Sequence, residues 1–146
     1  MRALIQRVSR ASVTVEGEVV GAIDRGLLVL LGIAPDDGET EVDWMVRKIS
    51  GLRIFPDDAG RFDRSLIDIG GSILLVSQFT LFGDCRKGRR PNFSGAARPD
   101  HAAPMCDRVR AAFQAAGIPT EQGRFGADMK VELLNDGPVT LMLDTP

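Results

Sequence analysis

The sequence predicts an α+β fold in which a mostly antiparallel β-sheet is accompanied by two main helices. Short, β-rich apolar segments separated by turn residues fill the first third of the chain, which indicates strands. Two later segments, residues 38–50 and 99–116, carry apolar residues at helical spacing. No repeat, low-complexity tract or linker-like stretch divides the 146 residues, so we expect a single domain over residues 1–146.

The first third is predicted to form a hairpin followed by a buried strand. Residues 2–9 make a mixed strand, and valines alternate with polar residues over 12–15, up to a turn at 16–17. Residues 19–23 are expected to return antiparallel to this segment. Residues 27–33 form a continuous apolar run with the length and β-rich composition of a fully buried strand.

Two segments show the periodicity of amphipathic helices. In residues 38–50 the apolar side chains recur at intervals of three and four residues, and Gly51 is a suitable end. These apolar residues are Val42, Met45, Val46 and Ile49. Residues 99–116 repeat the pattern, and Gly117 is expected to end that helix.

The remaining strands are predicted from shorter apolar runs. Residues 52–55 and 73–81 are expected to be strands, and the chain closes with strands at 129–134 and 139–143. The sequence Asn-Asp-Gly-Pro at residues 135–138 favours a turn strongly, so a hairpin is the simplest interpretation of this end.

Composition limits the possible classes of function. A net charge of −2 argues against a protein that coats nucleic acid in bulk. A single histidine, His101, cannot build a multi-histidine metal site, and the two cysteines fit no zinc spacing, so we expect no metal and no cofactor. The chain shows neither a secretory signal nor an apolar stretch of transmembrane length, so we expect a cytoplasmic protein without a membrane partner.

A polar segment follows the apolar residues 73–76. Ser77, Gln78, Phe79 and Thr80 come in succession there. Their hydroxyls, amide and consecutive backbone N–H groups could stabilise an oxyanion during acyl transfer, which makes them candidate catalytic residues. The alternative is a half-buried strand whose polar residues face solvent. No general base is evident on the protein, because the only histidine lies near the start of a predicted helix.

Two further segments have both a structural and a functional interpretation. Gly137 before Pro138 suits a hairpin turn, but glycine also lets the backbone approach a ligand closely. Residues 86–90 contain four cations, which form either a solvated loop or a contact for phosphates beside an active site. These cations are Arg86, Lys87, Arg89 and Arg90.

In these motifs, and over essentially its whole length, the chain resembles the bacterial-type D-aminoacyl-tRNA deacylase family. The resemblance covers residues 4–8, 11–15, 26–32, 53–55, 77–81, 123–129 and 135–140. The Ser-Gln-Phe-Thr and Gly-Pro-Val-Thr motifs, at this separation in a chain of this size, are very specific. The resemblance implies a homodimer with a barrel-like sheet that hydrolyses the ester between a D-amino acid and the 3′ end of tRNA.

The resemblance also implies that the active site lies at the subunit interface. Residues 77–80 would line the pocket of one subunit, and Gly137-Pro138, joined by a cis peptide bond, would reach in from its partner. Arg7 resembles the residue that holds the Gly-Pro segment inward. Ala102 and Phe125 match positions that border the adenosine and aminoacyl pocket. Residues 86–90 are less regular in the family, so their contact with tRNA is a hypothesis.

The resemblance also implies RNA-assisted hydrolysis, in which the 2′-hydroxyl of the terminal adenosine helps to activate water. The protein would supply positioning and the N–H groups of Phe79 and Thr80. The alternative is that Thr80 acts as a nucleophile, although no base is evident to activate it. The Gly137-Pro138 backbone is expected to exclude L-amino acids by collision with their side chains. Glycine has no side chain to collide, so glycyl-tRNA is an expected substrate too. Two rival hypotheses are a nucleic-acid-binding module and a general esterase.

Overall fold

A six-stranded sheet and two helices form the fold, which a computed structural model describes for residues 1–146. The strands in chain order are β1 (Arg2–Val15), β2 (Glu18–Ile23), β3 (Gly26–Gly32), β4 (Phe55–Pro56), β5 (Phe62–Arg64), β6 (Ser72–Ser77), β7 (Thr120–Gln122) and β8 (Lys130–Asp144). The helices are α1 (Glu39–Gly51) and α2 (Pro99–Ala115), and a 3-10 helix occupies Phe79–Phe82. Strands β4 and β5 form a separate two-stranded ribbon.

Strand β1 organises the large sheet, because it pairs antiparallel with β2, β3 and β8. The strand order is β2-β1-β3-β6-β7, and the β3–β6 and β6–β7 pairs are parallel. The sheet curls until its two ends approach each other. A Cβ atom added to Gly21 in β2 would lie 3.1 Å from the carbonyl oxygen of Gln122 in β7. The mostly antiparallel, barrel-like sheet that the sequence predicts is therefore confirmed.

Strand β3 shows how apolar side chains are divided between two cores. Leu27, Val29 and Leu31 belong to the larger core, which includes the buried faces of both helices. Leu28 belongs to a smaller core, and Leu30 packs against it. Successive side chains of a strand point to opposite faces of a sheet, so burial of both faces requires the continuous apolar run seen in the sequence.

Both helices pack on the sheet through the apolar faces predicted for them. The buried residues of α1 include Val42, Met45, Val46 and Ile49. The predicted boundaries, 38–50 and 99–116, are correct to within one residue at each end. Neither helix combines the length and the apolar composition that a membrane span requires.

The closing segment is one strand, so the predicted hairpin is wrong. Residues 130–135 and 140–144 both pair antiparallel with β1, one after the other. Between them, residues 136–139 lie opposite Arg7 alone and bulge out of the ladder. Strand β1 is long enough to pair with both halves, and these hydrogen bonds override the local turn preference of Asn-Asp-Gly-Pro.

Shorter strands also differ from the prediction. The predicted strand at 52–55 is reduced to β4, and the one at 73–81 ends at Ser77, where the chain bends toward the 3-10 helix. The sequence does not predict β5 and β7, because three residues are too few to show an alternating pattern.

Candidate active site

A cavity of about 600 Å³ opens where the parallel strands β3 and β6 end. The first half of α2 and the loop that precedes β8 form its other walls. Five of the residues singled out in the sequence line this cavity, namely Ser77, Gln78, Phe79, Ala102 and Phe125. The fold thus brings together segments that lie up to 48 positions apart in the chain, from residue 77 to residue 125.

Two backbone donors beside this cavity have no partner. The N–H of Gln78 donates to the carbonyl oxygen of Leu31 at 2.7 Å, which fixes the segment against β3. Phe79 and Thr80 begin the 3-10 helix, and their N–H groups donate to no other group of the chain. The first N–H groups of a helix lack partners within it, so they remain available to an external acceptor. A carbonyl oxygen that becomes an oxyanion is such an acceptor.

Thr80 itself lies outside the cavity lining, and its side chain is exposed. Its hydroxyl accepts a hydrogen bond from Nε2 of Gln78. No carboxylate or imidazole forms a hydrogen bond with this hydroxyl. A threonine nucleophile needs an adjacent base, so the surroundings of Thr80 do not favour that role.

The titratable side chains of the cavity also provide no evident base. Cys106 is buried, and desolvation together with the charge of Asp107 raises the pKa of its thiol to about 12, so it stays protonated at neutral pH. The carboxylate of Asp128 accepts a hydrogen bond from Nζ of Lys130 at 3.1 Å. Nowhere do three or more histidine, cysteine, aspartate or glutamate side chains form a group that could hold a metal ion.

The Gly137-Pro138 segment does not line this cavity but lies on the exposed bulge of β8, and its peptide bond is cis. Arg7, only 7% exposed, anchors the bulge from beneath. Its Nε donates to the carbonyl oxygen of Asp136 at 3.2 Å, and its Nη1 donates to that of Ile54 at 2.6 Å. Arg7 therefore ties the bulge to the segment that precedes β4.

The four cations of residues 86–90 lie on an exposed loop next to the cavity. Asp84 and Asn92 close the base of this loop with two backbone hydrogen bonds of 2.8 and 2.9 Å. Phe93, the next residue, lines the cavity, and its ring meets that of Phe79 edge-on at a centroid distance of 5.1 Å. Phe93 is not among the site residues predicted from the sequence, although an aromatic residue just after a basic run is a signal of nucleic-acid contact.

Comparison with known proteins assigns the family of the chain. A family model described as D-Tyr-tRNA(Tyr) deacylase matches residues 4–144. The chain belongs to this family. A D-aminoacyl-tRNA deacylase of Thermus aquaticus is 57% identical over 145 residues, which cover 99% of this chain and 95% of the relative. A deacylase of the same description from Roseiflexus castenholzii is 58% identical, with coverage of 99% and 92%.

Solved structures show that the deacylase fold extends over the whole chain. A structure named c-Myc DNA Unwinding Element Binding Protein aligns with a TM-score of 0.94 and 44% identity, covering 100% of this chain and 99% of its own. The structure of a probable eukaryotic D-amino acid tRNA deacylase aligns with a TM-score of 0.88 at 20% identity, covering 99% and 98%. Its low identity makes it evidence for the fold alone. The predicted family, fold and enzyme class are confirmed.

Proposed function

We propose that this deacylase hydrolyses the ester between a D-amino acid and the 3′-terminal adenosine of tRNA, releasing both products. The main support is the cavity, which is lined by Ser77, Gln78, Phe79, Ala102 and Phe125. Two backbone N–H groups without hydrogen-bond partners lie beside it. The relatives are named for the same class of substrate. An enzyme that removes wrong amino acids from tRNA acts where translation occurs, so we also propose a cytoplasmic location.

Attack on the ester places negative charge on its carbonyl oxygen. The N–H groups of Phe79 and Thr80 would stabilise this oxyanion by donating hydrogen bonds to it. Loss of one such donor typically lowers kcat by about 10²–10³. The attacking water must also lose a proton, and the cavity offers no evident protein base. In this proposal the 2′-hydroxyl of the terminal adenosine assists that step, and the protein holds the two reacting groups together.

We further propose a homodimer, because β8 exposes an unpaired strand edge and several apolar side chains. Strand β8 pairs with β1 on one edge and has no strand on the other. Four of its apolar side chains, Leu133, Leu134, Leu141 and Met142, are 37–49% exposed. An unpaired strand edge that carries apolar side chains favours association with another chain. The Gly137-Pro138 bulge lies within this strand, so a second copy docked along β8 would receive it.

A backbone wall explains how one site could reject L-amino acids of every size. The two enantiomers carry the same groups, and only the directions of hydrogen and side chain around the α-carbon are exchanged. If the carbonyl groups of Gly137 and Pro138 from a second copy face the α-carbon, an L side chain collides with them. A D side chain points outward instead. Selection then rests on a clash and not on a pocket fitted to one side chain.

Glycyl-tRNA is expected to be hydrolysed at a rate within about tenfold of D-aminoacyl-tRNA, since glycine presents no side chain to the wall. L-aminoacyl-tRNA should react about a hundredfold more slowly, because overpacking costs roughly 3 kcal/mol. Deacylation of one tRNA charged with the D-, L- or glycyl form measures all three rates. Complete absence of glycyl hydrolysis would contradict selection by a side-chain clash.

Thr80→Ala is expected to retain kcat/KM within about threefold of the wild type, as surface substitutions usually change free energies by roughly 0.5 kcal/mol. The variant removes an exposed hydroxyl bonded to Gln78 and keeps the backbone N–H. Steady-state deacylation of D-aminoacyl-tRNA is the measurement. If Thr80 were a nucleophile, activity would be lost almost completely, and the wild type would also cleave small esters that lack a 2′-hydroxyl.

A further inference from the structure

The four cations of residues 86–90 are not equivalent in the structure. Arg86 is committed to Asp84: its Nε and Nη2 donate to the two carboxylate oxygens at 2.9 and 2.7 Å. This contact keeps the pKa of Asp84 below its usual value, so the pair stays ionised and its charges cancel. Lys87, Arg89 and Arg90 are exposed and take part in no salt bridge. Three uncompensated positive charges therefore remain on this loop.

The base of the loop fixes these charges beside the cavity. Asp84 follows the 3-10 helix whose first residues carry the free N–H groups, and Asn92 precedes Phe93 in the cavity wall. The loop thus projects from the rim of the cavity itself. Arg98, which also lines the cavity, has a side chain 89% exposed and only a loose contact of 3.9 Å with Asp100.

The carboxylates nearest the rim leave Lys87, Arg89 and Arg90 without a partner. Asp84 pairs with Arg86, Asp128 in the cavity wall pairs with Lys130, and Asp100 lies near Arg98 alone. The rim is consequently positive although the whole chain has a net charge of −2. A local concentration of one sign in an otherwise balanced protein indicates a charged ligand at that place.

We propose that Lys87, Arg89 and Arg90, with Arg98 nearer the cavity, bind the phosphates of the single-stranded 3′ end of tRNA. The inference rests on the proposed function, because the terminal adenosine must occupy the cavity for the preceding nucleotides to cross its rim. Arg86 has a different role, since its contacts with Asp84 shape the loop. Exposed cations along a flexible single strand give contacts that depend on salt and not on sequence.

Arg89→Ala/Arg90→Ala is expected to weaken the preference for tRNA over a minimal substrate, D-aminoacyl-adenosine without phosphates. The ratio of kcat/KM on the two substrates should fall about tenfold or more at roughly 50 mM salt, because two phosphate contacts are lost. The slope of log K against log salt for uncharged tRNA should become shallower by about 1.4, at roughly 0.7 per contact with a single strand.

Arg47→Ala/Lys48→Ala is the matched control, since it removes the same charge from exposed positions of α1 that do not line the cavity. This control should keep the wild-type substrate ratio and salt slope. The proposal is overturned if the loop variant keeps both quantities, if it loses activity equally on both substrates, or if the control loses the ratio to the same extent. If the wild type binds tRNA but hydrolyses neither substrate, the proposed function is wrong. The salt dependence of tRNA binding would still test the proposed role of the loop.

Discussion

Gly137→Ala is expected to lower kcat/KM for D-aminoacyl-tRNA by about a hundredfold or more, because a displacement of 1 Å in an active site can cost this much. Gly137 has a φ of +121°, which side chains rarely tolerate. An added Cβ would lie 2.9 Å from Cγ2 of Val139 and 3.0 Å from Nη2 of Arg7. Arg7 is buried, and its Nη1 is held by the carbonyl oxygen of Ile54 outside the bulge, so we expect the bulge to move instead.

Single-turnover deacylation measures this loss, and thermal unfolding with light scattering checks the fold and the oligomeric state. Gly117→Ala is a suitable control, since Gly117 also has a positive φ, of +81°, but an added Cβ there meets no atom within 4 Å. Both variants carry backbone strain, and only Gly137→Ala crowds the bulge. Normal turnover by a folded Gly137→Ala variant would rule out the idea that this backbone senses the α-carbon.

A substrate whose terminal adenosine lacks the 2′-hydroxyl is expected to react about 10²–10⁴ times more slowly, the usual contribution of acid–base assistance. The reason lies in the cavity, where the thiol of Cys106 is held protonated by burial and the carboxylate of Asp128 is paired with Lys130. The imidazole of His101 is engaged as well, with Nε2 3.0 Å from the carbonyl oxygen of Asp37. None of these groups is therefore available as a general base in place of the missing hydroxyl.

The decisive comparison uses the same D-amino acid on tRNA ending in adenosine or in 2′-deoxyadenosine, with the ester on the 3′-oxygen of both. Affinity for the two uncharged tRNAs is the control, because a chemical role of the hydroxyl should leave binding nearly unchanged. Equal hydrolysis rates would indicate a protein-side base. That result would favour the general esterase with Thr80 as nucleophile.

Elements with a strong local pattern could be predicted from the sequence. The apolar spacing of Val42, Met45, Val46 and Ile49 sets one face of α1 whatever surrounds it, and the prediction is correct to within one residue. The first hairpin and the buried strand β3 are likewise visible, since alternation and a short apolar run are local signals. The parallel pairing of β6 with β3 and with β7 is not visible, because it depends on contacts between residues distant in the chain.

Residues 135–138 show where local preference loses to tertiary pairing. Their sequence favours a turn, but both halves of β8 find hydrogen-bond partners along β1, so the turn residues become an outward bulge. The polar residues after β6 illustrate the same point. The predicted strand continues to residue 81, whereas the chain bends at Gln78 and leaves two N–H groups free.

The sequence by itself determined the family, through two motifs and their separation, and it determined the composition of the candidate site. Only the tertiary structure decided which of those residues share a cavity. The fold places Phe79 in one cavity with Phe93, Ala102 and Phe125, and it places Gly137 on a different surface. It also pairs Arg86 with Asp84, so that their charges cancel. The physical reason is that a motif records which groups are available, whereas burial and long-range hydrogen bonds decide where those groups point.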